Sequence, residues 1–298
     1  MSGDPTPAPP SSTQPGLGVV MPGVFVFLWS TGFIFAKLAM PHAAPTLFLA
    51  VRFAIAAALL ALLALAFRAP WPSPRLALHA AGVGLLLQAT YLGGVFASIK
   101  LGMPAGVSAL IVSLQPLLTG VLVGPLLGDR IARTVWIGLL LGLAGVAAVL
   151  WDRLAFDGIT LASLSWSIAA LLGITLATLW QKRLGSAIDL RTGSCVQFVA
   201  SAVVLGALAP LLGQTEFQPH PELWIALAWS SVVLSVGAIA LYTLLIRRGD
   251  AARVASVMYL VPPTTAAMAW VLFGEQLGIV GLIGVIVVAT GVALVNRR

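Results

Sequence analysis

The chain has little of what a protein surface needs in water. Of its 298 residues only 8% are charged, and only nine are acidic, against about 25% charged in a typical soluble domain. So little polar surface cannot cover a globule, which excludes an ordinary soluble enzyme and a disordered chain. The single cysteine, Cys195, excludes disulfides and cysteine-based zinc sites. The three histidines, His42, His79 and His220, lie far apart in sequence and suggest no metal cluster. The net charge of +7 is no nucleic-acid footprint, because the 16 Lys and Arg are spread thinly, with no basic helix or aromatic-interleaved patch. No Asp or Glu stands in the middle of a long apolar run; each lies at the end of one, in a connection or in the N-terminal stretch.

What the chain has instead is apolar length: 60% of its residues are hydrophobic. A spanning helix needs about 20 mostly apolar residues, since the hydrocarbon core is about 30 Å thick and each residue rises about 1.5 Å. Stretches with few or no charges predict ten spans, approximately 17–38, 45–67, 76–99, 104–127, 134–151, 159–181, 192–212, 223–246, 251–273 and 277–296. The connections are short and leave no room for a soluble domain. Residues 1–16, rich in Pro and Ser without apolar periodicity, read as a disordered tail. They carry no basic segment of the signal-peptide kind, so the first helix is expected to be retained.

Basic residues set the orientation. One alternate set of connections holds twelve Lys and Arg, among them Arg68, Arg75, Arg130, Arg133, Lys182, Arg183, Arg191, Arg247 and Arg248. The remaining four of the sixteen are Lys100 and Arg153 in the other set of connections, Lys37 at a helix end and Arg52 inside a helix. The positive-inside rule then puts both termini of this multi-pass chain in the cytoplasm.

Sliding the chain against itself by 146 residues reveals a repeat. Ala105, Leu114, Pro116, Thr119 and Gly128 fall on Ala251, Leu260, Pro262, Thr265 and Gly274, and Gly138 and Gly145 fall on Gly284 and Gly291. Each half, 17–151 and 152–298, then holds five spans. Five is odd, so the second half is expected upside down relative to the first. Inverted repeats are a device of secondary transporters, whose repeat interface encloses a site near the bilayer midplane. The predicted fold class is an all-α integral membrane protein of ten transmembrane helices in two inverted five-helix repeats.

These features resemble the drug/metabolite transporter superfamily, specifically its EamA-type ten-helix members. The residues that carry the resemblance are Trp29-Ser30-Thr31-Gly32 through Lys37, Pro45 to Arg52-Phe53, Ala105 to Pro116, and Phe273-Gly274-Glu275. The resemblance covers about residues 17–298. It implies an inner-membrane carrier with a central cavity, of a family many of whose members export amino acids and other metabolites. The small multidrug pumps of the same superfamily carry a carboxylate in their first helix. The stretch 17–36 has none here, which argues against cationic-drug efflux by that route.

Candidate pathway residues are the polar and aromatic groups inside the spans. Trp29 and Trp166 lie deeper than the tryptophans that read as interfacial anchors (Trp136, Trp151, Trp224 and Trp270), and a cavity wall is one reason for that, a packed ring the other. Ser30 neighbours Trp29. Gln88 and Tyr91, three apart, share one helix face, which should turn inward because polar groups are costly in hydrocarbon. Ser113 and Gln115 precede Pro116, which leaves the Val112 carbonyl without its usual donor. Pro262, near Met258 and Tyr259, should mirror it. Lys37, Arg52 and Glu275 form a candidate outer gate, with an Arg52–Glu275 ion pair. Gly138, Gly142 and Gly145 permit close helix approach, within one chain or in a homodimer.

The function expected is carriage of a small-molecule substrate across the lipid bilayer by alternating access, most of all amino-acid or related-metabolite export. No cofactor or metal is expected. The alternatives are a carrier for drugs or nucleosides, a membrane-embedded enzyme, and a non-transporting receptor or assembly factor. An enzyme would need a nucleophile–base pair or metal cluster in the bilayer. His79 is the only histidine within a span and Cys195 has no evident base.

Overall fold

A computed structural model describes residues 17–39, 41–101, 103, 105–128, 131–149, 151, 159–184, 187–248, 251–273 and 278–296. The tail over 1–16 and Glu275 lie outside the described residues, as do the side chains of Lys37 and Trp270.

Every described element of any length is helical. In chain order they are α1 (Leu17–Ala39), α2 (Pro45–Ala66), α3 (Pro74–Gly84), α4 (Tyr91–Lys100), α5 (Ala105–Val112), α6 (Gln115–Leu127), α7 (Arg133–Val149), α8 (Leu161–Leu184), α9 (Leu190–Leu211), α10 (Pro221–Trp229), α11 (Ile239–Arg248), α12 (Ala251–Val257), α13 (Val261–Phe273) and α14 (Ile279–Asn296). Prolines open α2, α3 and α10, where the missing N–H is no loss. Asp189 caps α9, accepting from the Arg191 backbone N–H at 2.9 Å. The Arg191 guanidinium also donates to the Asp189 carboxylate, and this hydrogen bond holds the carboxyl below its usual range. Gly128 closes α6 at φ +80°, a left-handed position where a Cβ would be strained.

Two of the predicted spans contain an irregularity that the sequence did not reveal. A π-helical turn, Leu85–Thr90, joins α3 to α4, and another, Ser230–Ala238, joins α10 to α11. A π turn inserts one residue into the helical ladder and is frequent at functional sites. The proline positions behave as expected and go further. Instead of kinking one helix, the segment at Ser113-Leu114 breaks it, and Pro116 stands in the first turn of α6. Before Pro262 the chain makes a 3₁₀ turn at Met258–Leu260.

Five helical stretches are long and apolar enough to cross a membrane: Pro45–Ala66, Pro74–Ser98, Leu161–Leu184, Leu190–Leu211 and Pro221–Arg247. Shorter apolar helices include Arg133–Val149 and Ile279–Val295. Large apolar side chains face outward throughout, as with Leu161 at 82% exposure and Ile279 and Leu211 at 79%. That is costly in water and normal against lipid.

The main core gathers α1, α2, α4, α8, α9, α10 and α11 around Phe25, Phe48, Phe53, Phe198 and Tyr242. Between α2 and α9, Phe53 meets Phe198 at 5.5 Å and Cys195 donates to the Ala57 carbonyl. Thr46 bonds Gln214 at one end of this pair, and Thr192 bonds the Pro70 carbonyl at the other. A second core joins α7 and α14 with Tyr259. Here the glycines matter: a Cβ on Gly145 would lie 2.8 Å from the Gly284 carbonyl oxygen, and one on Gly138 would lie 2.7 Å from that of Gly291. Residue numbers rise along α7 as they fall along α14, so the two helices run antiparallel. The close approach expected of these glycines is used within the chain.

Candidate functional site

The site is built from an aromatic cluster and the polar groups around it. On α1, one turn apart, Phe25 and Trp29 hold their rings 5.1 Å apart, and each lies 5.5 Å from the ring of Tyr242 on α11. The Tyr242 hydroxyl sits 2.7 Å from Thr178 Oγ1 on α8. Thr178 donates its own proton to the Ile174 carbonyl, so the tyrosine is the donor between them. Gln115, at the start of α6, donates Nε2 to the same threonine at 3.3 Å. Tyr91, the first residue of α4, lies beside the Trp29 indole.

Arg52 of α2 stands beside Tyr91. It is 9% exposed. Its Nε donates to Ser235 Oγ at 2.9 Å, and Ser235 passes its proton to the Ser230 carbonyl inside the second π turn. Its guanidinium also lies 5.5 Å from the Phe53 ring centroid. Among the described residues no carboxylate lies within ion-pair distance of it. The site therefore presents a buried cation, flat aromatic faces, hydroxyls and a carboxamide. Such a set can take a carboxylate on the guanidinium and an ammonium or apolar group on the rings. Arg52, Tyr91, Gln115 and Tyr242 are all buried, so the cluster is closed to solvent in this conformation.

Of the residues singled out in the sequence, Trp29, Arg52, Tyr91 and Gln115 come together here. Gln88 is fully buried in the first π turn, and neither its amide oxygen nor its nitrogen has a hydrogen-bond partner. Ser30 is also buried but serves packing, donating to the Val261 carbonyl at 3.3 Å and so tying α1 to α13. Ser113 is half-buried and partnered. Met258 packs against the main core. Pro116 is buried and Pro262 half-buried, each at its helix break.

Two of these residues lie elsewhere. Trp166 is 46% exposed on α8, and it is Trp180 of the same helix that packs against the core. Tyr259 belongs to the second core, its ring against Gly142 and its hydroxyl without a partner. In an apolar helix every face tolerates an aromatic ring, so depth in the sequence does not tell an inward tryptophan from an outward one. The proposed partner of Arg52, Glu275, is outside the described residues; the described partner is Ser235.

Sequence reasoning missed Tyr242, Thr178, Ser235 and Trp229. Trp229 donates Nε1 to Thr31 at 2.8 Å and stacks on Phe35 at 4.9 Å. Tyr242, a polar ring inside an apolar span, carries the same signal that marked Tyr91. The single serine and threonine hydroxyls carry none, because a helix can satisfy them on its own carbonyls.

The same family profile matches the chain twice, over residues 16–151 and 161–297, and it describes an EamA-like transporter family. The chain belongs to the EamA-like transporter family. Among curated relatives it is 27% identical over 287 residues to the uncharacterized transporter YvbV of Bacillus subtilis, covering 92% of this chain and 89% of that one. It is 26% identical over 274 residues to the uncharacterized inner membrane transporter YedA of Escherichia coli, covering 90% and 87%. It is likewise 26% identical over 281 residues to a probable amino-acid metabolite efflux pump of Salmonella typhimurium, covering 89% and 90%. A solved structure described only as a crystal structure of protein shares the fold, with a TM-score of 0.77 at 22% identity, covering 94% of this chain and 97% of that one. Family membership and the outward apolar faces together identify a membrane protein of transporter type.

Proposed function

We propose that this chain is a secondary carrier that exports amino acids or related carboxylate-bearing metabolites by alternating access. The observation that carries the substrate class is Arg52: a buried guanidinium with a neutral hydroxyl for its described partner, beside aromatic faces. A buried charge without a counter-charge costs several kcal/mol, and a substrate carboxylate would offset that cost when it binds. Export, as the direction, is supported by the relative described as an efflux pump. Full-length protein in proteoliposomes should exchange labelled amino acids, but not their amides or esters, nucleosides or cationic drugs. Exchange of nucleosides or cationic drugs without any exchange of carboxylates would overturn the reading.

The carrier architecture we propose is ten spans in two inverted repeats, 17–151 and 152–298. It is supported by the double family match, by the antiparallel packing of α7 on α14, and by matching irregularities 146 residues apart. The π turns at Leu85–Thr90 and Ser230–Ala238 correspond in this way, as do the breaks before Pro116 and Pro262. In this reading both termini lie in the cytoplasm. In support, contacts gather the basic connections at one end of the bundle, with Thr192 on Pro70 and Arg247 on the Ile188 carbonyl. Reporter fusions at residue 298 and within 213–222 should register on opposite sides of the membrane; the same side for both would break the span count.

A further inference from the structure

At the other end of the bundle the structure assembles a cluster that the sequence separates by almost two hundred residues. His42 lies in the connection between α1 and α2, and His220 and Glu222 open α10. The two imidazole rings stack at 4.1 Å, with 12° between their planes. His42 Nε2 is 3.2 Å from Glu222 Oε2, and His220 Nδ1 is 3.9 Å from the same oxygen. One donor atom from each of the three residues falls within 4.8 Å of the others. The wide spacing of the histidines along the chain, which suggested no metal cluster, did not reveal this approach.

From this arrangement we infer that His42, His220 and Glu222 bind one divalent transition-metal ion of the zinc class. Zinc takes imidazole nitrogen at about 2.0–2.1 Å and carboxylate oxygen at about 2.0–2.2 Å, so tetrahedral ligand atoms stand about 3.3 Å apart. The His42–Glu222 pair already has that spacing. To join them, the His220 ring must turn out of its stack on His42 and release the hydrogen bond that its Nδ1 accepts from the Glu222 N–H at 3.4 Å; the His220 side chain is 47% exposed. The backbones are held independently of any ion. Gln218 N–H donates to the His42 carbonyl at 2.7 Å, Ala44 N–H donates to the Glu216 carbonyl at 2.9 Å, and Ala43 bridges Phe217. Two nitrogens and one oxygen suit zinc, nickel or copper, whereas calcium and magnesium take oxygen ligands. Three protein ligands leave a fourth position toward solvent.

Because the ligands come from the α1–α2 connection and from the start of α10, a bound ion would reinforce the backbone link that already joins these two segments. If alternating access moves the halves against each other here, occupancy should slow transport; this consequence, unlike the binding itself, rests on the carrier reading. Tag-free full-length protein is titrated with Zn²⁺ by calorimetry, and Co²⁺ is added in parallel to read its visible absorption. One ion per chain and a four-coordinate cobalt spectrum are expected. His42→Ala and His220→Ala should each weaken Zn²⁺ binding by at least about 10–100-fold, the range that loss of even an outer-shell partner produces. Glu222→Gln should weaken it too, and excess Ca²⁺ should not compete. Absence of Zn²⁺ binding, or binding unchanged in both histidine variants, would overturn the site. Zn²⁺ should also slow exchange by wild type in proteoliposomes and leave exchange by His42→Ala unaffected. Binding that meets these criteria in a protein that moves no substrate at all would stand as a metal site and count against the carrier reading alone.

Discussion

Arg52→Met should lower exchange of a carboxylate-bearing substrate by about 10–100-fold, with the folded protein as stable as wild type or more so. The transport loss follows from removing a charged hydrogen-bonding group, which contributes about 1.5–3 kcal/mol to a bound partner. The stability follows from a different argument. Methionine replaces the stem of the arginine, and exchanging a buried charge for apolar volume is often neutral or stabilising. Arg52→Lys keeps the charge but not the planar fork, so it should recover only part of the activity. Thermal melts in detergent and counterflow in proteoliposomes give both numbers on one preparation. A loss of about 3–5 kcal/mol on Arg52→Met would mean that a buried carboxylate had been left unpaired. Arg52 would then be half of an ion pair, as in the gate with Glu275 expected from the sequence, and not a substrate anchor.

Gln88→Leu should separate activity from stability in the same manner. Gln88 is fully buried and neither end of its amide has a hydrogen-bond partner. Each such unpaired group costs about 1–3 kcal/mol. Leucine fills much the same volume without that cost, so the variant should melt at higher temperature. If the amide serves the substrate, exchange should fall on the order of 10-fold, the worth of one good hydrogen bond. The pairing of a gain in stability with a loss of activity is the pattern of a functional site that departs from the best packing. Gln88→Leu with raised stability and full exchange would remove Gln88 from the pathway and leave the first π turn as a packing feature.

Much of this protein was legible in its residues. Membrane residence follows from composition, because apolar runs with so few charges have no other stable environment. The family follows from local pieces such as Trp29 to Lys37 and from the 146-residue repeat around Pro116 and Pro262. A disturbance of the helix at those prolines was also readable, because a ring that lacks an N–H acts on its own turn wherever it stands; that it is a break at Ser113-Leu114 was not. Gln88 and Tyr91 are buried, as their shared face suggested, since a polar side chain in hydrocarbon has few places to go.

What the sequence could not supply is the direction each side chain faces. A soluble helix shows its buried face by the period of its apolar residues. A membrane helix is apolar all round, so Trp166 and Trp180 look alike along the chain and part only in the fold, one outward and one against the core. The π turns carry no composition of their own, and so the Ser235 hydroxyl that meets Arg52 was hidden. The joining of His42 to His220 and Glu222 depends on α2 packing antiparallel to α9, which brings their connections to one end. Only tertiary structure decides that, because contact between residues so far apart in sequence is set by how whole helices pack and not by any local preference.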